Sequence, residues 1–193
     1  MLLRSGLNKP VLEKGVVKAP TAPRAYNTFL KPSTDQSEWL VSGDESFRLV
    51  CSIFSTVGIA RDARILIPGV GLSDLPRRLY DGGFTNMVLS DCEQDAISHQ
   101  MCSFKDIEHE QMPRMALEDL TSSTCVLDGY FDVIIDKSVL DVFIRQGGAA
   151  GIINFYTSKL QADGVLICFS MFHRRWKSSA LLPPRAWYAS IAQ

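Results

Sequence analysis

No run of apolar residues among these 193 approaches the ~20 that a helix needs to cross a bilayer, so no membrane-spanning helix is expected. An excess of charge of either sign is missing too. The 20 Lys and Arg against 21 Asp and Glu leave a formal charge of −1, which argues against a general basic surface for nucleic acid and leaves any RNA contact to a local patch. Cysteine is sparse, odd in number and scattered, at 51, 92, 102, 125 and 168, mostly inside apolar segments. That pattern suits a reducing compartment better than a disulfide framework. Cys92, His99, Cys102 and His109 lack the spacing of a zinc finger or a helix-paired zinc site. The chain has no G-x-x-x-x-G-K-[ST] for nucleoside triphosphates and no G-x-S-x-G elbow for acyl transfer. Internal repeats and low-complexity tracts are absent.

What is present is an alternation of short apolar strands with helical segments. Arg64 to Ile67 reads as a buried strand, Pro68 ends its ladder, and Gly69 and Gly71 allow a tight turn close to a ligand before Ser73 caps a helix. The dinucleotide pattern G-x-G-x-x-G is not completed, because no glycine stands three residues past Gly71 and Pro76 follows soon after. Met87 to Leu89 reads as a second strand ending at Asp91, about 20 residues past the glycines, where a carboxylate suits ribose hydroxyls. Met115 to Asp119 is a third strand ending in acid, Phe131 to Asp136 a fourth, and Gly164 to Phe169 a fifth. Helical spacing assigns Phe47, Val50, Cys51 and Phe54 to one face after a cap at Asp44, groups Leu72, Leu75 and Leu79, and buries Ala96, Ile97 and Met101 after Glu93. Further helical signals run from Val139 to Ile144 and from Ala150 to Leu160, and 187–192 reads as a last strand. Strand and helix in alternation predict an α/β, mostly parallel sheet with helices on both faces.

Pro68-Gly69-Val70-Gly71-Leu72-Ser73, Asp91, Glu118-Asp119-Leu120-Thr121 and Val133-Ile134-Ile135-Asp136-Lys137-Ser138-Val139-Leu140-Asp141, with Glu38-Trp39 and Ser46-Phe47-Arg48 upstream, resemble class I S-adenosylmethionine-dependent methyltransferases. Within that superfamily the chain is most similar to the eukaryotic elongation-factor lysine and N-terminal methyltransferases, from about Tyr26 onward. The resemblance implies a Rossmann-like sheet and S-adenosylmethionine as cofactor. It implies that Gly69 and Gly71 pass close to the cofactor's methionine part, that Asp91 takes the ribose, and that Asp119 or Glu118 accepts from the adenine amino group with Leu120 on the ring. Asp136 would lie nearest the methyl, and Asp136, Lys137 and Asp141 would shape the acceptor side and assist an amine. Val70, Leu72 and Ser138 depart from the family, which carries a small residue or Cys, Asn, and Gly or Ala there. The family sheet ends in an antiparallel strand that this sequence is expected to lack. An edge left open in that way needs cover from the tail, another chain or solvent.

A length of 193 residues suits one domain with a substantial core. Residues 1–31 carry six Lys and Arg against one acid, with three prolines, and read as an extended basic arm or a transit-like tail before a domain at 32–193. His173-Arg174-Arg175-Trp176-Lys177 is a compact basic and aromatic cluster, read first as a solvated loop and second as a contact for an acidic protein or RNA surface. Trp39 reads as a core anchor. Two functions stay open: a methyltransferase acting on a protein amine, a lysine or an N-terminus, and a catalytically inactive subunit using the fold within a larger assembly. The expected compartment is the cytoplasm, with a mitochondrion or other organelle as the alternative.

Overall fold

The computed structural model describes residues 24–30, 38–122, 125, 127–171 and 186–191. Seven strands form one sheet: β1 (Arg24–Leu30), β2 (Ile65–Pro68), β3 (Met87–Asp91), β4 (Arg114–Leu117), β5 (Phe131–Lys137), β6 (Leu160–Ser170) and β7 (Ala186–Ile191), in the order β1-β7-β6-β5-β2-β3-β4. All six neighbouring pairs are parallel, and β2 lies between β3 and β5. The chain order therefore reverses at β2. In an open parallel sheet that reversal opens a crevice at the strands' carboxyl ends.

Strands buried on both faces read as continuous apolar runs, which is why Ile65-Leu66-Ile67 and Val165 to Phe169 were legible. One face carries Ile65, Ile67, Met87, Leu89, Val133, Ile135, Val165 and Ile167 against helices α1 (Gly43–Val57) and α2 (Leu75–Asp81). The alternate residues, including Leu66, Val88, Ile134, Leu166 and Cys168, meet α4 (Val139–Arg145) and α5 (Ala149–Lys159) through Leu140, Ile152, Ile153 and Tyr156. Helix α3 (Gln94–Ser103) connects β3 to β4.

Three local expectations change. Ser42, not Asp44, caps α1, its hydroxyl accepting the Glu45 N–H at 3.2 Å, and the helix buries Ser46, Leu49, Val50, Ile53 and Phe54 while Phe47 and Cys51 stay half-buried. Leu72 precedes α2 and is 45% exposed, because the glycine turn runs through it. On α3, Ala96 and Ile97 are buried, but Met101 is exposed and Gln100 takes the inner face.

Strand β1 comes from inside the segment read as an arm and lies at the sheet's outer edge beside β7, which runs parallel to β6. No antiparallel strand stands among the described residues. The basic cluster 173–177 and residues 1–23 lie outside them. No helix is long and apolar enough to cross a membrane among the residues described.

Candidate functional site

The crevice begins at the turn after β2. Gly69 and Gly71 adopt φ of 53° and 54°, the left-handed region that glycine enters without strain. Their surroundings differ. A Cβ on Gly69 would stand 2.3 Å from Val139 Cγ2, so this glycine lets α4 approach; a Cβ on Gly71 would meet nothing within 4 Å, so this one faces open space.

Hydrogen bonds hold the turn from three directions. Asp91, at the tip of β3, accepts the Gly71 N–H at 2.8 Å on Oδ2 and the Glu93 N–H at 3.0 Å on Oδ1. Each oxygen keeps a second lone pair. The amide of Gln100 donates to Gly71 O at 2.9 Å and Ser73 O at 3.0 Å. Glu38 accepts the Asp74 N–H at 2.9 Å and the Ser73 hydroxyl at 2.9 Å, and its other strong partner is Lys137 Nζ, which also donates to Ser73 Oγ at 3.3 Å. Glu38 and Lys137 form a buried ion pair, with side chains 4% and 7% exposed. Burial pushes the Glu38 carboxyl up, and Lys137 opposes that shift.

The end of β4 is open. Glu118 is half-buried and its N–H donates to Asp91 O, while Asp119 is exposed and accepts from the Thr121 N–H at 2.8 Å and the Thr121 hydroxyl at 2.6 Å. The Thr121 bonds hold the Asp119 carboxyl below its ordinary range. Leu120 packs, half-buried, against the α4–α5 side of the core. Leu117, 52% exposed, stands just before these acids.

At the tip of β5 successive residues face opposite sides. Asp136 is fully buried on the α4–α5 side, its Oδ2 accepting the Leu140 N–H at 3.0 Å and the Tyr156 hydroxyl at 2.7 Å, and burial pushes its carboxyl up to about 7. Lys137 turns the other way, to Glu38 and Ser73. Ser138 follows at φ 77°, a left-handed backbone for which a Gly would be unstrained. Asp141 is 4% exposed and accepts from the Ser170 hydroxyl and from the Met171 N–H at 2.9 Å, and burial raises its carboxyl as well.

A cleft of about 140 Å³ opens beside these residues, lined by Trp39, Ser138, Asp141, Val142, Arg145, Gln146 and Met171. Trp39 is no core anchor. It is 62% exposed at the cleft wall, projected there because Glu38 before it is buried in the ion pair and Leu40 after it takes a φ of 69°. Of the three acceptor-side residues expected from the sequence, Asp141 lines the cleft, whereas Asp136 and Lys137 are engaged behind it. The sequence reading missed Gln100, whose polar side chain at a helical core position was the available signal.

A parallel sheet whose strand order reverses beside β2 is a Rossmann-like arrangement, and solved class I methyltransferase structures share the fold. A S-adenosylmethionine-dependent methyltransferase from Clostridium acetobutylicum ATCC 824 superposes with a TM-score of 0.56 at 18% identity, over 65% of this chain and 49% of that one. Magnesium protoporphyrin IX methyltransferase from Synechocystis PCC 6803, with bound SAM, gives 0.51 at 18% identity, over 62% and 55%. In sequence, the chain is similar to an eEF1A lysine and N-terminal methyltransferase of Danio rerio, 28% identical over 126 residues, which cover 64% of this chain but 17% of that protein. The chain thus spans a small part of that relative and about half of the solved structures. No family model matches it.

Proposed function

We propose that this chain binds S-adenosylmethionine at the β2 turn and methylates an amine of a protein, a lysine side chain or an N-terminus. The observation that carries this reading is Gly71, held open at φ 54° and tied to the carboxylate of Asp91, with an aromatic-walled cleft at the tip of β5. The residues fit the cofactor: a Cβ-free cradle stands beside Gly71, Asp91 has lone pairs left for ribose hydroxyls, and Asp119 or Glu118 with Leu120 offers an adenine edge. When bound, S-adenosylmethionine supplies an activated sulfonium methyl. The protein's share is then geometric: Gly69 and Gly71 set the donor side, and Asp141 lines the acceptor cleft, with Asp136 and Lys137 holding the tip of β5 behind it, so that a neutral amine is held in line. The likeness to the Danio rerio relative, described as acting on eEF1A lysine and the N-terminus, supports a protein acceptor over a small molecule. Five free thiols suit a cytoplasmic setting, with a mitochondrion or other organelle as the alternative.

Isothermal titration tests the donor half. Gly71→Val puts a branched side chain at a left-handed position in the cradle and should abolish S-adenosylmethionine binding. Asp91→Ala should weaken it by about 1–3 kcal/mol through lost hydrogen bonds to ribose and a loosened turn. Unchanged affinity in both variants would remove the cofactor from this turn. Transfer of labelled methyl to proteins of a lysate, read by mass spectrometry, tests the acceptor half, and Asp136→Asn should lower turnover more than cofactor affinity.

A second reading, a catalytically inactive subunit that contributes the fold to a larger assembly, is favoured by the engagement of Lys137 with Glu38 and of Asp136 with Tyr156. Wild-type protein that binds cofactor yet labels nothing would select it.

A further inference from the structure

One face of α4 supplies most of the cleft. Ser138, Asp141, Val142, Arg145 and Gln146 follow the spacing i, i+3, i+4, i+7 and i+8, the stripe that a single helix face presents, and Trp39 and Met171 complete the lining. Burial falls along that stripe. Ser138 and Asp141 are 5% and 4% exposed, Val142 is 39% exposed, and Arg145 and Gln146 stand exposed at the far end of the helix. The cleft therefore has a base at Asp141, an apolar middle, and a rim at Arg145 about 6 Å further along the helix axis. Charge follows the same line. Burial raises the Asp141 carboxyl, and the Ser170 hydroxyl, the Met171 N–H and lastly Arg145 draw it back towards the ionised form. Asp141 and Arg145 are the charged residues among those that line the cleft, so its acid lies deep and its base lies outside.

From this order of charge we infer that Arg145 is a specificity-determining residue, which selects an acceptor amine with an aspartate or glutamate within two residues of it in the substrate chain. The inference rests on the reading of this cleft as the acceptor side. A lysine or N-terminal amine enters with its cation towards Asp141 and past the indole of Trp39, whose face attracts an ammonium. The backbone that carries the amine stays at the rim. In an extended peptide the Cα atoms one and two residues away lie about 4 to 7 Å from that of the target, within the span of a guanidinium reaching out from the last turn of α4. A carboxylate there gains charge-assisted hydrogen bonds, whereas a second lysine or arginine meets a like charge. Amines embedded in basic sequence are excluded by the same residue. An arginine in a last turn also suits the helix dipole and its i−4 acid, but that local role carries no preference among substrates.

The test measures methyl transfer from labelled S-adenosylmethionine to synthetic peptides with one amine, a central lysine or a free N-terminus, and with Glu, Ala or Lys at one position within two residues of it. For wild-type protein, Glu at the favoured position should raise kcat/KM about fivefold to tenfold over Ala, and Lys should lower it, with the spread narrowing as salt is added. Arg145→Glu should reverse the order, with Lys best and Glu worst. Arg145→Gln, which removes the charge without adding another beside Asp141, should bring the three peptides within about twofold of one another. A residue that only supports α4 would change all peptides by the same factor and leave their order intact. An unchanged order in both variants therefore overturns the inference, as does a wild-type protein indifferent to the neighbouring charge. If no peptide is labelled, the same proteins are compared on a lysate, with the labelled sites read by mass spectrometry. Acids beside most wild-type sites, lost in Arg145→Glu, support the inference; labelled sites without them overturn it and leave methyl transfer standing. No labelling of peptides or lysate by wild-type protein sinks both.

Discussion

Lys137→Met should destabilise the protein by about 3–5 kcal/mol, because it leaves the Glu38 carboxylate buried without its cation. The pair is nearly sealed, at 7% and 4% side-chain exposure, so solvent screening offers little relief. Glu38 also holds the Ser73 hydroxyl and the Asp74 N–H, and a carboxylate that lost Lys137 would either take up a proton or pull away from both. The double variant Glu38→Met/Lys137→Met separates the pair from its parts. Replacing both charges with apolar chains of similar length removes the stranded carboxylate, so the double variant should be more stable than Lys137→Met alone despite carrying one more substitution. Urea denaturation of the wild type, both single variants and the double variant measures the coupling. A loss below about 1 kcal/mol for Lys137→Met would mean that water reaches Glu38 and that the pair behaves as a surface contact.

The same pair shows where sequence reasoning runs out. Strands β2, β3, β5 and β6 were legible because a parallel strand covered on both faces must be apolar at every position, and Ile65 to Ile67 or Val133 to Ile135 are hard to read otherwise. The strand tips were legible as well: Asp91 ends β3, Asp136 stands next to the end of β5, and Gly69, Gly71 and Asp119 come within three residues after β2 and β4, so the parallel sheet brings them all to the strands' carboxyl ends. Partners were not legible. Glu38 and Lys137 lie 99 positions apart, and neither residue announces that it will be buried. Helical periodicity gave α3 an inner face but chose Met101 over Gln100, since it weighs apolarity and cannot see two carbonyls waiting on a neighbouring turn. Trp39 failed for the opposite reason. Its size suggests the core, but the buried residue before it and the left-handed one after it turn it outward.

Stability should fall as pH rises from about 4 to about 7, and Asp136→Asn should remove most of that slope. Unfolded, Asp136 releases its proton near the ordinary 3.8, but burial raises the folded value to about 7. Between those values the native state holds a proton that the unfolded chain has lost. The unfolded state then binds fewer protons, so the free energy of unfolding decreases with pH across the window and levels off above it. A gap of roughly 3 pH units corresponds to an upper bound of about 4 kcal/mol. The amide introduced by Asp136→Asn cannot titrate, yet its carbonyl can still accept the Leu140 N–H and the Tyr156 hydroxyl, so the start of α4 should keep its anchor. Asp141, also raised by burial, remains in both proteins, and its contribution cancels when the two are compared. Urea midpoints at pH 5 and pH 8 give the comparison, and the variant should gain on the wild type by about 2–4 kcal/mol between them. Equal pH dependence would mean that Asp136 stays ionised in the fold. The carboxyl would then be a fixed negative charge behind the cleft, stabilising an ammonium there, and a neutral amine would need another route to lose its proton. With the value near 7 the group instead changes protonation around neutral pH at the base of α4, the helix whose Asp141 lines the cleft.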